Sequence, residues 1–242
     1  MRLVLPDLRA AAIALVGVAL SACGGGGGGG GVPAPNVVIP FAVSNFSGVA
    51  IDNPFLPLTP GTTYVYEGDT EDGFEHIEVA VTANTKTILG VVCLEVRDQA
   101  FLDGELVEDT LDWFAQDDDG NVWYFGEDSQ SIENGVVVST EGSWEAGVGG
   151  ATPGVVMLAD PVVGNVYAQE NAPGVAEDRA RVAALGVTET VPTDTYGGCL
   201  RTDEFTPLEP DVLERKVYAP GVGLILEIDE DDRRIELVSV SP

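Results

Sequence analysis

The chain has 242 residues, of which 45% are hydrophobic, and this is enough to form a folded core without a metal. It carries 40 acidic and 11 basic residues, which gives a formal net charge of −29. Because this charge repels phosphate backbones and anionic headgroups, the composition excludes a role in nucleic-acid binding.

The first predicted element is a signal peptide over residues 1–22. Two arginines stand near the start, and an apolar run from Ala10 to Leu20 follows. The run is too short to span a bilayer. The next residues, Leu20-Ser21-Ala22-Cys23, resemble the lipobox of bacterial lipoproteins, in which cleavage precedes the cysteine and its sulfur receives a diacylglyceryl group. This pattern predicts Cys23 as the lipid-bearing N-terminus of the mature protein; the alternative is an ordinary secretory signal with a chance cysteine.

A glycine run and a short proline-containing stretch follow the cysteine. Gly24 to Gly31 and Val32-Pro33-Ala34-Pro35 predict a flexible tether over residues 23–40. The tether would connect a membrane anchor to a single β-rich domain over residues 41–242. Position 24 is not aspartate, and by resemblance to the proteobacterial sorting rule this favours the outer membrane or the cell surface.

The body of the chain reads as strands and turns. The runs 62–66, 77–81, 91–96 and 136–138 are rich in β-branched and aromatic residues, and Asp103-Gly104 and Asn134-Gly135 are hairpin-turn signals. No long stretch has the 3.6-residue period of a helix. The sequence therefore predicts an all-β, antiparallel fold.

The two halves of the body share a pattern. Gly61 to Glu67 and Gly164 to Glu170 both have the form G-x-x-Y-x-x-E, and Cys93 and Cys199 follow at similar distances. We interpret this pattern as two related β-meanders, over about residues 60–138 and 161–240. So many strands must close or fold over to hide their edges, so we expect a barrel or half-barrel. The long segment 139–160 is either a cover for it or a plain linker.

Two further cysteines, Cys93 and Cys199, remain after the signal region. An even pair in an oxidising compartment is typical of a disulfide, so we predict that these two residues are bonded. The alternative is a reactive free thiol.

The stretch Asp112 to Phe125 has three consecutive acids, Asp117, Asp118 and Asp119, between aromatic residues. Their spacing does not match a calcium-binding EF-hand loop, so we predict a hairpin tip and keep them only as a weak calcium candidate. The flanking aromatic residues are adjacent in the chain, and adjacent strand residues face opposite sides of a sheet. Such a pattern predicts a sheet covered on both sides, or a ligand cavity lined by Trp113, Phe114, Trp123, Tyr124 and Phe125.

Signs of conventional catalysis are few. His76 is the only histidine, so the sequence offers no conventional zinc site and no clear serine-hydrolase arrangement. Hydrolysis by paired carboxylates needs only two acids a few ångströms apart, and this alternative stays open. No cofactor is predicted.

The segments PGTTYVYEG (60–68), DWFAQDDDGNVWYFGE (112–127) and YAPGVGL (218–224) resemble those of an uncharacterised family of secreted bacterial proteins and lipoproteins. The resemblance implies no activity and no site residues. From the whole sequence we expect an extracytoplasmic protein that attaches to a membrane by its lipid anchor and binds a small apolar ligand or a protein partner without covalent chemistry. The alternatives are a carboxylate-dependent hydrolase and a calcium-stiffened structural or adhesion module.

Overall fold

The computed structural model describes residues 32–242. The predicted signal peptide, Cys23 and the glycine run lie outside the described residues. Regular structure consists of a short 3-10 helix, Val43–Asn45, and fourteen β-strands. The strands are Thr63–Asp69 (β1), Phe74–Ile88 (β2), Val91–Leu102 (β3), Glu105–Gln116 (β4), Val122–Glu133 (β5), Val136–Ser139 (β6), Trp144–Glu145 (β7), Gly154–Met157 (β8), Val166–Ala168 (β9), Arg179–Val191 (β10), Asp194–Phe205 (β11), Glu214–Ala219 (β12), Gly223–Ile228 (β13) and Arg234–Ser241 (β14). No helix among the described residues is long and apolar enough to cross a membrane.

The strands form one antiparallel sheet that is not closed. Their order is β6-β5-β4-β3-β2-β1-β14-β13-β12-β11-β10-β9, and β7 and β8 pair with β5 beside β6. Strands β1 to β6 and strands β9 to β14 each pair with the next strand in the chain, and the two runs join where β1 pairs with β14. The predicted all-β antiparallel class is confirmed, and the unclosed sheet agrees with its barrel or half-barrel form.

The two G-x-x-Y-x-x-E segments occupy matching places in the sheet. Tyr64 lies in β1, at the start of one run of hairpins, and Tyr167 lies in β9, at the start of the other. The amide of Gly61 donates to the carbonyl of Val81, and the amide of Gly164 donates to the carbonyl of Val182. Strands β1 to β5 therefore correspond in order to β9 to β13.

The structure corrects the predicted disulfide. Cys93 lies in β3 and Cys199 in β11, and both are buried free thiols. Strands β2, β1, β14, β13 and β12 lie between them in the sheet. Neighbouring strands are about 4.8 Å apart, whereas a disulfide needs Cα atoms within about 7 Å. Burial raises the pKa of the Cys93 thiol to about 12, so the thiol is also a poor nucleophile.

The segment before β1 covers the outer face of the sheet. Its first part is attached to the body, because the amides of Asn36 and Val37 both donate to the carbonyl of Val166 in β9. This attachment lies within the last residues of the predicted tether. Further along, the backbone amide of Asn53 donates to Gln116 Oε1 at the end of β4. The amide of Gly221 in the β12–β13 turn donates to the carbonyl of Pro54. The segment thus contacts corresponding turns of both halves.

The segment 139–160 packs against the body and contributes to its core. Trp144, Val156 and Met157 are buried, and β7 and β8 extend the sheet beside β5. On its other side, the backbone of Gly154 approaches Gln169 so closely that a Cβ at position 154 would lie 1.9 Å from the Gln169 carbonyl oxygen. The segment therefore fills the space between β5 and the chain after β9.

Candidate functional site

A cluster of acidic residues lies inside the curved sheet, and strand register brings its members together. In β3, β4 and β5, Val96 lies opposite Asp112, and Asp112 lies opposite Glu127. Directly opposite residues in antiparallel strands share one face, and so do residues two apart in a strand. Asp98 therefore lies on the same face as Asp112 and Glu127.

The acids of the first half are withdrawn from solvent. Asp98 is 4% exposed and Asp112 is 1% exposed. We call the whole set the first-half acids: Glu75, Asp98, Glu108, Asp112 and Glu127. Some of their oxygens have donors: the Tyr124 hydroxyl donates to Asp112 Oδ1 at 2.5 Å, and the Thr110 hydroxyl donates to Glu108 Oε1 at 3.0 Å.

The second half contributes a similar set that surrounds a lysine. Lys216 is 1% exposed, and its Nζ lies 3.2 Å from Glu204 Oε2, 3.5 Å from Glu227 Oε2 and 3.9 Å from Glu214 Oε2. Burial lowers the pKa of this lysine, but the three carboxylates outweigh burial and hold it well above its usual value. Lys216 is therefore a buried, charged ammonium. With Glu170 and Asp178, the three carboxylates form the second-half acids.

The two sets share one interior. Burial raises the pKa of Asp98 well above its usual range, and neighbouring carboxylates from both halves raise it further. Those neighbours are Asp112, Glu108, Glu75 and Glu227. Similarly, burial raises the pKa of Glu170, Asp112 of the first half raises it further, and Lys216 of the second half lowers it. The interior is thus a continuous, strongly acidic region with a single charged lysine among the described residues.

Several buried side-chain groups have no hydrogen-bond partner within residues 32–242. Neither carboxyl oxygen of Asp98 receives a donor, the hydroxyl of Tyr167 has no partner, and both polar atoms of the Gln169 side chain are unpaired. Tyr167 is 2% exposed. Its burial raises the pKa of its hydroxyl, and the nearby Glu204 raises it further. Leaving a buried polar group unpaired costs about 1–3 kcal/mol, and such groups are typical of sites that a ligand completes.

Several first-half acids have pKa values near neutrality. Burial raises the pKa of Glu75 to about 8, with help from Glu108 and Asp72. Burial also raises the pKa of Asp112 to about 7, although the hydrogen bond from Tyr124 opposes this change. Side chains of this kind can gain or lose a proton, or accept a cation, under physiological conditions.

The five predicted cavity residues do not line one cavity; the sheet divides them. Trp123 and Phe125 lie on the outer face, where Phe41 and Phe46 pack against them with ring centroids 5.8–5.9 Å apart. The predicted covering of both faces thus has a structural basis, because the segment before β1 supplies these two rings.

The other predicted aromatic residues lie elsewhere. Phe114 and Tyr124 stack with centroids 4.8 Å apart, and Trp144 packs edge-on against Tyr124. Because Tyr124 donates to Asp112, and Trp144 Nε1 donates to Glu170 Oε1 at 3.4 Å, this group borders the acids. The ammonium of Lys86 lies over the ring of Trp113, with Nζ 3.3 Å from the ring centroid.

The three consecutive acids lie in the turn between β4 and β5, as predicted for a hairpin tip. Gly120 has φ of +96°, which favours glycine. Asp118 is exposed and accepts from the amide and hydroxyl of Ser47. Within residues 32–242, no group of three or more histidine, cysteine or acidic side chains is arranged as metal ligands would be.

Asp117 departs from the expectation of a solvent-exposed tip, because it is 5% exposed. Its Oδ1 accepts from the amides of Asp119 and Asn121, and its Oδ2 accepts from Asn121 Nδ2 and from Trp123 Nε1 at 2.8 Å. This carboxylate therefore organises the turn.

We expect Asp117→Asn to destabilise the protein by about 2 kcal/mol, because an amide group replaces an oxygen that accepts from buried donors. Asp119→Asn is the matched control, since Asp119 is exposed in the same turn, and it should change stability by less than about 0.5 kcal/mol. Urea unfolding of both variants provides the measurement. Equal stability of the two variants would contradict this role of Asp117.

The single histidine has a structural explanation. Its Nδ1 lies 2.9 Å from Glu67 Oε1 and its Nε2 lies 3.3 Å from Glu78 Oε1, in a partly exposed position. The interior acids were not identified from the sequence. The available signal was weak: the polar residues Glu108, Thr110 and Asp112 stand at alternate positions, as expected for a strand with one polar, inward face.

Comparisons with known proteins give little further information. No protein-family model matches the chain, and no curated protein matches it. Among solved structures, the chain is similar to the crystal structure of a candidate lipoprotein from Parabacteroides distasonis ATCC 8503. The two are 12% identical, the match covers 81% of this chain and 100% of the other, and the TM-score is 0.39. A similarity at this level supports no conclusion about function.

Proposed function

We propose that this chain is a lipid-anchored, extracytoplasmic binding protein that holds a polar ligand among its interior acids without covalent chemistry. The observation that carries the proposal is Asp98, a buried carboxyl group with both oxygens unpaired. A fold that keeps such a group in its interior bears a cost that a bound ligand would remove.

The structure changes the kind of ligand that we expect. The aromatic residues at which we expected an apolar ligand pack against one another or against Phe41 and Phe46. The unpaired groups instead include the carboxyl of Asp98, the hydroxyl of Tyr167 and the side-chain amide of Gln169. These groups favour a ligand with polar or charged atoms over an apolar one.

The proposed anchor rests on Leu20-Ser21-Ala22-Cys23 and on the glycine run that follows. We expect Cys23→Ser to accumulate as an unprocessed precursor that lacks a lipid label, because only the cysteine sulfur can receive the diacylglyceryl group. Metabolic labelling with a radioactive fatty acid, followed by membrane fractionation, measures this. A labelled, normally fractionated Cys23→Ser variant would show that the anchor lies elsewhere.

Binding is tested by releasing small molecules from the purified protein. Wild-type protein from its native compartment should release a stoichiometric polar compound on denaturation, identified by mass spectrometry. Asp98→Asn should release much less of it, whereas Asp128→Asn, which changes an exposed acid of β5, should release the same amount. Equal occupancy in wild type and Asp98→Asn would remove the basis for placing the ligand among the interior acids.

Carboxylate-dependent hydrolysis is the second candidate function. Asp112 and Glu127 face each other across β4 and β5, and the pKa of Asp112 is raised to about 7, which suits a general acid. The two functions differ in their products. A hydrolase would release cleaved substrate under multiple turnover, whereas a binding protein would return its ligand unchanged.

A further inference from the structure

The acids of the two halves lie in the same register. In the first half, Val96, Asp112 and Glu127 lie opposite one another on β3, β4 and β5. In the second half, Thr202, Lys216 and Glu227 lie opposite one another on β11, β12 and β13.

The two halves also match two residues further along these strands. Asp98 lies opposite Thr110 in the first half, and Glu204 lies opposite Glu214 in the second. Asp112 therefore occupies the position in the first half that Lys216 occupies in the second.

This correspondence leaves the two halves with different charge. The second half supplies its own cation, because the ammonium of Lys216 lies within 4 Å of Glu204, Glu214 and Glu227. Within residues 32–242, no lysine, arginine or histidine forms an ion pair with Asp98, Asp112 or Glu127. The first half has counterparts of two of these three carboxylates, Asp98 and Glu127, with Thr110 at the position of Glu214. Asp112 is a further carboxylate in place of the lysine.

Aromatic rings border the first-half acids. The stacked pair of Phe114 and Tyr124 adjoins Asp112 through the Tyr124 hydroxyl, and Trp144 packs against Tyr124. Carboxylates beside aromatic faces are typical of sites for organic ammonium groups. A metal ion fits less well, since no group of three acidic, histidine or cysteine side chains among the described residues is arranged to ligate one.

We propose that the first-half acids bind the primary ammonium group of a small organic amine, at the position that corresponds to Lys216 Nζ in the second half. This inference rests on the proposed function and names the chemical class of its ligand. The ammonium would lie among Asp98, Asp112 and Glu127, and it would provide donors for the two unpaired oxygens of Asp98.

The test uses butylammonium chloride as the probe and the full-length protein purified in detergent. Calorimetric titration at constant ionic strength should show one saturable site for butylammonium. Butanol, which has the same chain without the charge, and sodium chloride should show none. Asp112→Lys places an ammonium in the site, as Lys216 does in the other half, and should weaken butylammonium binding at least tenfold. Asp128→Lys adds the same charge on the exposed side of β5 and should change binding less than twofold.

Three results would overturn the inference: butylammonium binding no better than sodium, a folded Asp112→Lys variant with wild-type affinity, or an equal effect of Asp128→Lys. If Asp112→Lys does not fold, Asp98→Asn replaces it, and wild-type affinity in that variant would likewise overturn the inference. A released native ligand without an amine would refute the amine but preserve the proposed binding function. Release of no ligand together with no butylammonium binding would refute both.

Discussion

Raising the pH from about 5 to about 9 is expected to lower the free energy of unfolding of the ligand-free protein by about 5 kcal/mol. The cause is the set of buried acids whose pKa is raised on folding. Glu75 titrates near 4.5 in the unfolded chain and at about 8 in the folded protein, and Asp112 and Asp178 titrate near 3.8 unfolded and at about 7 folded.

The sign of this dependence follows from proton binding. Between the unfolded and folded pKa values, the folded protein holds protons that the unfolded chain has released, so stability falls as the pH rises. For these three acids the loss begins near pH 4 and is complete above about pH 8. Each pKa unit corresponds to about 1.4 kcal/mol of stability. The three contributions are smaller together than their sum, because these buried acids influence one another's titration.

Glu75→Gln tests this cause directly. The amide keeps the shape of the side chain but does not ionise, so the variant should lose less stability than wild type between pH 5 and pH 9. Glu71→Gln is the matched control, since Glu71 is exposed in the turn before β2, and it should keep the wild-type pH dependence. Urea unfolding across this pH range provides the measurement. The same slope in Glu75→Gln and wild type would contradict the assignment.

Replacing the buried lysine should have the second large effect. Lys216→Met removes the ammonium that lies 3.2 Å from Glu204 and 3.5 Å from Glu227, and it leaves these carboxylates buried without a cation. Removing one partner of a buried ion pair costs about 3–5 kcal/mol, and we expect a loss of this size at pH 8. At pH 5 the loss should be smaller, because the carboxyl groups can take up protons instead.

Lys86→Met is the matched control for this substitution. The side chain of Lys86 is 37% exposed and pairs with Glu145, which is equally exposed, so its removal should cost only about 1 kcal/mol. Thermal and urea unfolding at both pH values distinguish the two variants. A loss below about 1 kcal/mol for Lys216→Met at pH 8 would show that Lys216 does not neutralise the acids around it.

The fold class and the hairpin order follow from local sequence signals. Asp103-Gly104 and Asn134-Gly135 form the β3–β4 and β5–β6 turns, as predicted, and both asparagine and aspartate adopt the positive φ that such turns require. Cys93 and Cys199 show where this kind of reasoning fails. Their equivalent positions in the two halves place them on equivalent strands, and equivalent strands in a continuous sheet are separated by the intervening ones.

The interior acids could not be predicted from composition, because acids are common throughout the chain. Whether an acid in a strand faces solvent or the interior depends on the register and curvature of the whole sheet. Asp98 and Asp109 illustrate this dependence: both lie in strands, but Asp98 is buried, whereas Asp109 pairs with the partly exposed Arg97. A strand-by-strand alignment of the two halves is the most informative signal for these acids, since it places Asp112 at the position of Lys216 in the shared pattern.

The most direct test of the ligand site is the titration of Asp98 itself by NMR in protein labelled with ¹³C at aspartate side-chain carboxyl groups. Asp98→Asn identifies the signal by its loss. Without a ligand, the Asp98 carboxyl should titrate well above the usual range of aspartate, because burial and neighbouring carboxylates disfavour its charge. Saturation with butylammonium should lower this pKa by more than one unit, because a bound ammonium stabilises the carboxylate. An Asp98 pKa that is unchanged by saturating butylammonium would contradict a cation site among the first-half acids.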